Sequence, residues 1–265
     1  MDIETICRNI ELQKEIKTRV LAFAAEYPFS QIQSQLASMC DFADGFLGYQ
    51  QVMHALGDDP DGVKILACQL YCACDVYEKY RLMGISDEVF FDTMRCYVRF
   101  VNECAIYRGR PMFDRGWWTW KQISLRVFRL GALEFELHPE GNVAMHIPGD
   151  TIFTPERVDE ALEIAKRFIE KYFPQYKNAP FTCNSWLLSP ALTPFLPEDS
   201  NIRNFQNRFC VKSVDPDARD YISWLFQALP DTPAECLAER TELQRRVKQY
   251  VLAGGKIGNG FGILK

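Results

Sequence analysis

The chain has 265 residues, 48% apolar and 25% charged, the balance of one large globular domain or two ordinary ones. A formal net charge of −5 argues against a general nucleic-acid binder, which needs a basic face to neutralise phosphates. No apolar run approaches the roughly 20 residues of a membrane span, and the acidic start MDIETIC is unlike a secretion signal, so no membrane partner and a cytoplasmic location are expected.

Residues 1–110 read as helices. Asp2–Tyr27 is expected as one long helix stopped by Pro28, and Asp41–Leu56 as another closed by Gly57. Asp58-Asp59-Pro60-Asp61-Gly62 is a turn, without the ligand positions or closing glutamate of a calcium loop. Val63–Met83 carries Leu66, Leu70, Ala73, Tyr77 and Tyr80 on one stripe. Ser86 caps a further helix whose stripe runs from Val89 through Thr93, Cys96, Phe100 and Cys104 to Tyr107. Such stripes describe a helical core. Seven of the ten cysteines precede residue 105. Without zinc-type spacing or a secretion signal they are expected to be reduced and metal-free, packing as small apolar residues.

Arg108-Gly109-Arg110-Pro111 interrupts the helical pattern. It separates a helical domain, residues 1–112, from a second domain, residues 113–265. Gly116–Ile123 (GWWTWKQI) follows, with three tryptophans in four residues. They either plug the space between helices and sheet or form the aromatic wall of a ligand cleft.

From residue 128 the periodicity changes to that of strands. Phe128–Leu137 is expected as one strand, with Leu133, Phe135 and Leu137 on one face and Glu134 and Glu136 on the other. His138–Asn142 turns the chain into a second strand, Val143–Ile147. After Pro148-Gly149-Asp150, Thr154 caps a helix that has Pro155 at its first position and ends at Pro174. Phe181–Leu188 returns as a strand. A hairpin, a crossover helix and a returning strand make a mixed sheet with a central parallel pair. Ligands favour the carboxyl ends of such strands, here His146–Thr154 and Ser185–Pro190. Further on, a Ser200-capped turn of helix, a strand at Arg208–Val214 and a helix at Asp217–Gln227 are expected. A capping box at Thr232–Glu235 is expected to open a helix ending at Gly254-Gly255, before a last strand at Gly260–Leu264.

Several side chains near those strand ends carry usable chemistry. His146 can act as a base or be a hydrogen-bonded structural histidine. Cys183 and Ser185 share a strand face, and Cys183 is a nucleophile if a base lies beside it. Arg203 can grip a carboxylate or phosphate or pair with Glu198 or Asp199. Trp186 and Asn201 are assigned with it to substrate binding.

The second half resembles the GNAT acyltransferase fold. More closely, the chain is similar to GNAT-like C-terminal domains preceded by a helical N-acyltransferase-type domain. The resemblance is carried by Gly116–Leu137, His146-Ile147-Pro148-Gly149-Asp150, Cys183–Pro190 and Leu196–Phe209. It implies an all-helical N-terminal domain followed by a GNAT-like mixed sheet flanked by helices, in α+β or α/β arrangement. It further implies an enzyme that moves an acyl group from acetyl-CoA or another acyl-CoA to a small-molecule or peptide amine by direct attack. In that family the CoA pyrophosphate lies on backbone amides at a helix N-terminus, which maps here onto Gly149, Asp150, Thr151, Thr154 and Arg157. His146 would then stand near the thioester, and Cys183 or Ser185 would protonate the departing thiolate. The loop departs from the usual Arg/Gln-x-x-Gly-x-Gly/Ala pattern, having one glycine and a carboxylate, Asp150, which calls for Arg157 or a lysine in compensation. The same departure suits an alternative, a catalytically inactive module of this fold that binds a small molecule or a protein.

Overall fold

The computed structural model describes residues 1–265. Its first 123 residues form eight helices: α1 (Ile3–Asn9), α2 (Lys14–Glu26), α3 (Gln33–Met39), α4 (Gly45–Leu56), α5 (Val63–Met83), α6 (Asp87–Met94), α7 (Cys96–Arg108) and α8 (Gly116–Ile123). The long first helix expected from the sequence is in fact two. Glu11 adopts φ 62°, and the Leu12 N–H turns back to the Cys7 carbonyl at 2.9 Å, so α1 folds over and buries Ile6, Cys7, Ile10 and Leu12. The helix expected across 86–107 likewise divides at Arg95 into α6 and α7.

The rest alternates strands and helices: β1 (Val127–Leu130), β2 (Leu133–Leu137), β3 (Val143–His146), α9 (Pro155–Tyr172), β4 (Phe181–Ser185), α10 (Asn201–Asn207), β5 (Phe209–Asp215), α11 (Asp220–Leu225), α12 (Glu242–Leu252) and β6 (Asn259–Leu264). They build one mixed sheet in the order β1-β2-β3-β4-β6-β5. Phe128–Leu137, expected as a single strand, is a hairpin. Leu130 pairs with Leu133 across a two-residue loop whose first residue, Gly131, has φ 64°, a conformation that glycine adopts without penalty. The capping box also lies elsewhere. Residues 234–236 form only a short 3₁₀ turn, and the reciprocal bonds are made by Thr241 and Gln244 at the start of α12. Phe181–Leu188 is strand only to Ser185.

The central pair, β3 and β4, is parallel but brief. Its ladder holds Val143 opposite Phe181 and Ala144 opposite Thr182, and then ends, while β3 continues to His146 and β4 to Ser185. The connecting helix α9 lays Val158, Ala161, Leu162, Ala165, Phe168 and Ile169 on the sheet face formed by Leu133, Phe135 and Met145. The opposite face meets the helical half. One core of 51 buried residues therefore runs through both halves, from Ile6 to Phe209. A second core of 10 residues, with Trp186, Leu192, Tyr221 and Val247, joins the segments after β4.

Candidate active site

The strand alternation that sends Leu133, Phe135 and Leu137 into the core sends Glu134 and Glu136 to the other face. That face is not solvent. Glu134 is 3% exposed and Glu136 1% exposed, covered by α7 and α8. Buried carboxylates need partners, and α7, α8 and the turn after α8 supply them. Arg99 donates to Glu134 at 2.7 Å; Lys121 and Arg126 donate to the two oxygens of Glu136 at 2.9 and 2.7 Å. The strand register places His146 opposite Glu134, and its Nε2 lies 3.0 Å from Glu136 Oε2. Burial by itself would raise the Glu136 carboxyl. The hydrogen bond and charge of His146, then those of Lys121, outweigh burial and hold it down at about 2. The Lys121 ammonium is lowered, because its own burial outweighs the attraction of Glu136.

The three tryptophans divide between the two readings. Trp120 is buried and plugs the space against Gly45, where a Cβ would lie 2.3 Å from the indole. Trp118 is half-buried and stands edge-on to the His146 ring, centroids 4.7 Å apart, with the Lys121 ammonium 3.7 Å above it. Trp117 is exposed. His146 thus sits at the open end of β3 between an aromatic wall and a buried carboxylate.

Beyond His146 the chain runs through a loop to α9, capped by Thr154, whose hydroxyl accepts from the Arg157 N–H at 3.4 Å. The N–H groups of Ile152 and Phe153, just before the helix, have no intramolecular partner. Unpaired N–H groups in the loop that leads into the positive end of an 18-residue helix fit an anion. Asp150 does not oppose this. Its carboxylate is turned to Arg129, 3.1 Å away, with Arg99 at 3.9 Å. Arg129 also bonds the Thr151 hydroxyl at 3.2 Å, and that hydroxyl donates to the Ala132 carbonyl at 2.5 Å. The compensating cation is therefore Arg129 of β1, not Arg157. Arg157 is exposed and makes no ion pair. Arg208, at the end of α10, fastens the first turn of α9 by bonding Asp159 and the Pro155 carbonyl, the latter at 3.2 Å.

The residues expected on β4 are less suited to chemistry. Cys183 is fully buried, and burial pushes its thiol up to about 12, which removes the thiolate that a nucleophile needs. Ser185 remains partly exposed, but its hydroxyl accepts from the Leu187 N–H at 3.1 Å and caps the following turn. Trp186 belongs to the second core. Asn201 and Arg203 open α10 under the Ser200 cap, and Arg203 pairs with neither Glu198 nor Asp199. Phe205 of α10 packs on Phe153, centroids 5.0 Å apart, which brings this helix against the loop before α9.

Sequence reasoning missed a second set of residues. A cleft of about 510 Å³ opens between α7 and α11 and reaches Gly149 and Asp150. Glu103 of α7 lines it. Its Oε1 is buried without a hydrogen-bond partner, 3.9 Å from Arg99 Nε and 2.9 Å from where a side chain at Gly149 would begin. Burial raises this carboxyl to about 7, against the pull of Arg99 and Arg115. In the sequence Arg99 and Glu103 look like an ordinary surface pair four residues apart on a helix.

Residues 1–125 match the N-acyltransferase N-terminal domain family, and residues 127–264 match the GNAT-like C-terminal domain family. The chain belongs to the GNAT-like family, with the N-acyltransferase N-terminal domain as its helical half. It is similar to a crystal structure of an acyltransferase in complex with decanoyl-CoA and teicoplanin, with a TM-score of 0.77 and 21% identity, over 98% of this chain and 87% of that one. A second crystal structure, of an acyltransferase in complex with decanoyl-CoA, aligns over 100% of this chain and 99% of the other, with a TM-score of 0.71 and 19% identity. At such identities the likeness is one of fold. Among curated proteins nothing matches the chain. No helix is long and apolar enough to cross a membrane.

Proposed function

We propose that the protein is an N-acyltransferase that moves an acyl group from acyl-CoA to an amine by direct attack. The observation that carries this reading is the parting of β3 and β4 after Ala144 and Thr182, beside a loop into α9 whose Ile152 and Phe153 N–H groups are unpaired. Parting strands leave backbone donors and acceptors free for an extended amide chain such as pantetheine. The N–H groups of Ile152 and Phe153, with Thr154 at the helix cap and exposed Arg157, would receive the pyrophosphate. His146 lies where the thioester would stand, oriented by Glu136 and Trp118. Its contribution is to hold the carbonyl or relay a proton. The similar acyltransferase structures, one in complex with decanoyl-CoA and teicoplanin and one with decanoyl-CoA, support an acyl-CoA donor with a long chain.

Calorimetric titration with CoA, acetyl-CoA and decanoyl-CoA tests the donor half. Binding of the acyl-CoAs, followed by release of free thiol only when an amine is added, is the expected result. No binding of any CoA species would leave the alternative, an inactive module of the same fold.

A further inference from the structure

The cleft between α7 and α11 lies apart from the ends of β3 and β4 and reaches the loop after β3 at Gly149 and Asp150. Its charges are unevenly answered. Arg95 is paired with Asp92, Arg99 with Glu134 at 2.7 Å, and Arg115 with Asp114 at 3.2 Å. Tyr107 spends its hydroxyl on Asp114 at 2.7 Å. Glu103 alone keeps a buried oxygen with no donor on it. An unmet buried acceptor normally costs about 1–3 kcal/mol, and nothing in the helix packing requires one here. The other oxygen of Glu103 is the one open to the cleft, since the side chain is 20% exposed, and a donor carrying positive charge would suit the carboxylate best there. Trp224 and Ile106, both on the cleft wall, are exposed by 42% and 53%, so the bound molecule must also offer apolar surface.

We propose that this cleft is the acceptor site, that it takes a primary amine carried on an apolar or aromatic body, and that Glu103 is the base that removes the ammonium proton. The proposal rests on the acyltransfer reading for its reaction and on the cleft alone for its ligand. The ammonium gives one proton to the Glu103 carboxylate and becomes a free amine. The amine lone pair attacks the thioester carbonyl, the C–N bond forms and the C–S bond breaks. The nitrogen loses its second proton as the amide forms, and the CoA thiolate gains one to leave as the thiol. Glu103 returns its proton to water through the cleft mouth. Gly149 allows the approach, since any side chain there would meet Glu103 Oε1 at 2.9 Å, between the base and the donor loop.

The groups facing Glu103 are Arg99 on its own helix, Arg115, Asp150 and, behind Arg99, Glu134. Burial raises the carboxyl to about 7 against the two guanidiniums, which matches a base that must take and release a proton near neutrality.

The test uses the full chain and its Glu103→Gln variant. First, both are titrated calorimetrically with phenethylamine, without CoA. Binding by the native protein and its loss in the variant are expected; equal binding by both, or none by the native protein, overturns the acceptor site. Second, both are titrated with decanoyl-CoA, whose affinity is expected to be the same. Third, acyl transfer is followed across pH. Transfer to phenethylamine is expected to fall about 100-fold or more in the variant, with loss of the acid limb near neutrality. Transfer to hydroxylamine, which is neutral at neutral pH, is expected to fall only a few-fold. An unchanged rate and pH profile in the variant overturns the assignment of Glu103. Amine binding that depends on Glu103 in a protein that binds no CoA species keeps the amine cleft and retires the acyltransfer reading.

Discussion

Two glutamates shift in opposite directions, because burial outweighs the nearby cations at Glu103 and is outweighed by them at Glu136. Glu136 is buried among His146, Lys121 and Arg126, and its carboxyl is held at about 2 against an ordinary value of 4.5. That stability is fully present above the unfolded value and is lost as pH falls through the folded one. The difference is on the order of 3 kcal/mol. Glu136→Gln should therefore lower the melting temperature at pH 7 and flatten its decline between pH 5 and 2, as followed by circular dichroism. Glu103 is raised to about 7 instead, by burial. Here the folded state holds the proton more tightly than the unfolded chain, so stability falls as pH rises from about 4.5 to about 7. Glu103→Gln should raise the melting temperature at pH 8 and leave it nearly unchanged at pH 4. Stability gained by removing a candidate base is the expected trade between function and fold. Asp150 is exposed. Its charge is answered by Arg129 at 3.1 Å and turned from the α9 terminus, so Asp150→Gly should change CoA affinity less than about threefold by calorimetry. A tenfold gain would mean that the carboxylate opposes the phosphate after all.

At the scale of elements, α9 is where sequence and structure agree best. Thr154-Pro155 at its start, six regularly spaced apolar residues along it and Pro174 after it leave little freedom, and the helix runs from Pro155 to Tyr172. Thr154→Ala removes the side chain that accepts the Arg157 N–H, and should lower stability by about 1 kcal/mol in urea unfolding. If the same helix end seats the pyrophosphate, CoA affinity should fall with it. The alternation in Leu133–Leu137 and Val143–His146 was equally legible, and with it the parallel pair that follows the crossover. The β1–β2 hairpin was not. Gly131-Ala132 lies within an apolar run, and only the glycine at the first loop position marks the turn. The break between α1 and α2 had no local signal, because Glu11 adopts a positive φ that tertiary packing of Leu12 imposes. Thr232–Glu235 has the residues of a capping box, yet the box forms at Thr241–Gln244, where packing holds it, since Gln244 also donates to the Leu225 carbonyl at 2.8 Å. The site was half legible for the same reason. His146, Asp150 and Thr154 are fixed by strand and helix ends, whereas Glu103 and Arg129 reach the loop from distant segments through tertiary structure alone.

For the whole molecule the question is whether the two halves unfold separately. The families that match the chain meet between residues 125 and 127, but the interior does not divide there. Phe128 of β1 packs on Tyr80 of α5 at 5.9 Å between centroids and on Phe168 of α9 at 4.9 Å, so one side chain bridges the two halves. Across the same boundary, Arg99 of α7 is buried against Glu134 of β2 and reaches Asp150 of the loop after β3. Removing one partner of a buried pair leaves the other charge unpaired and costs about 3–5 kcal/mol. Separating the halves would strand Glu134 from Arg99 and Glu136 from Lys121, in addition to exposing the shared apolar core. Neither half has a low-energy surface of its own, and unfolding should be a single cooperative transition. Arg99→Met is the decisive variant, because it keeps the aliphatic stem and deletes the charge. It should lower the melting temperature by about 10 °C. If the halves are coupled as the shared core requires, near-ultraviolet ellipticity from the α8 tryptophans and far-ultraviolet ellipticity from the whole chain will fall at one temperature in both proteins. Two separate transitions, with only one of them shifted by Arg99→Met, would show that the buried ion pairs join two independently stable bodies.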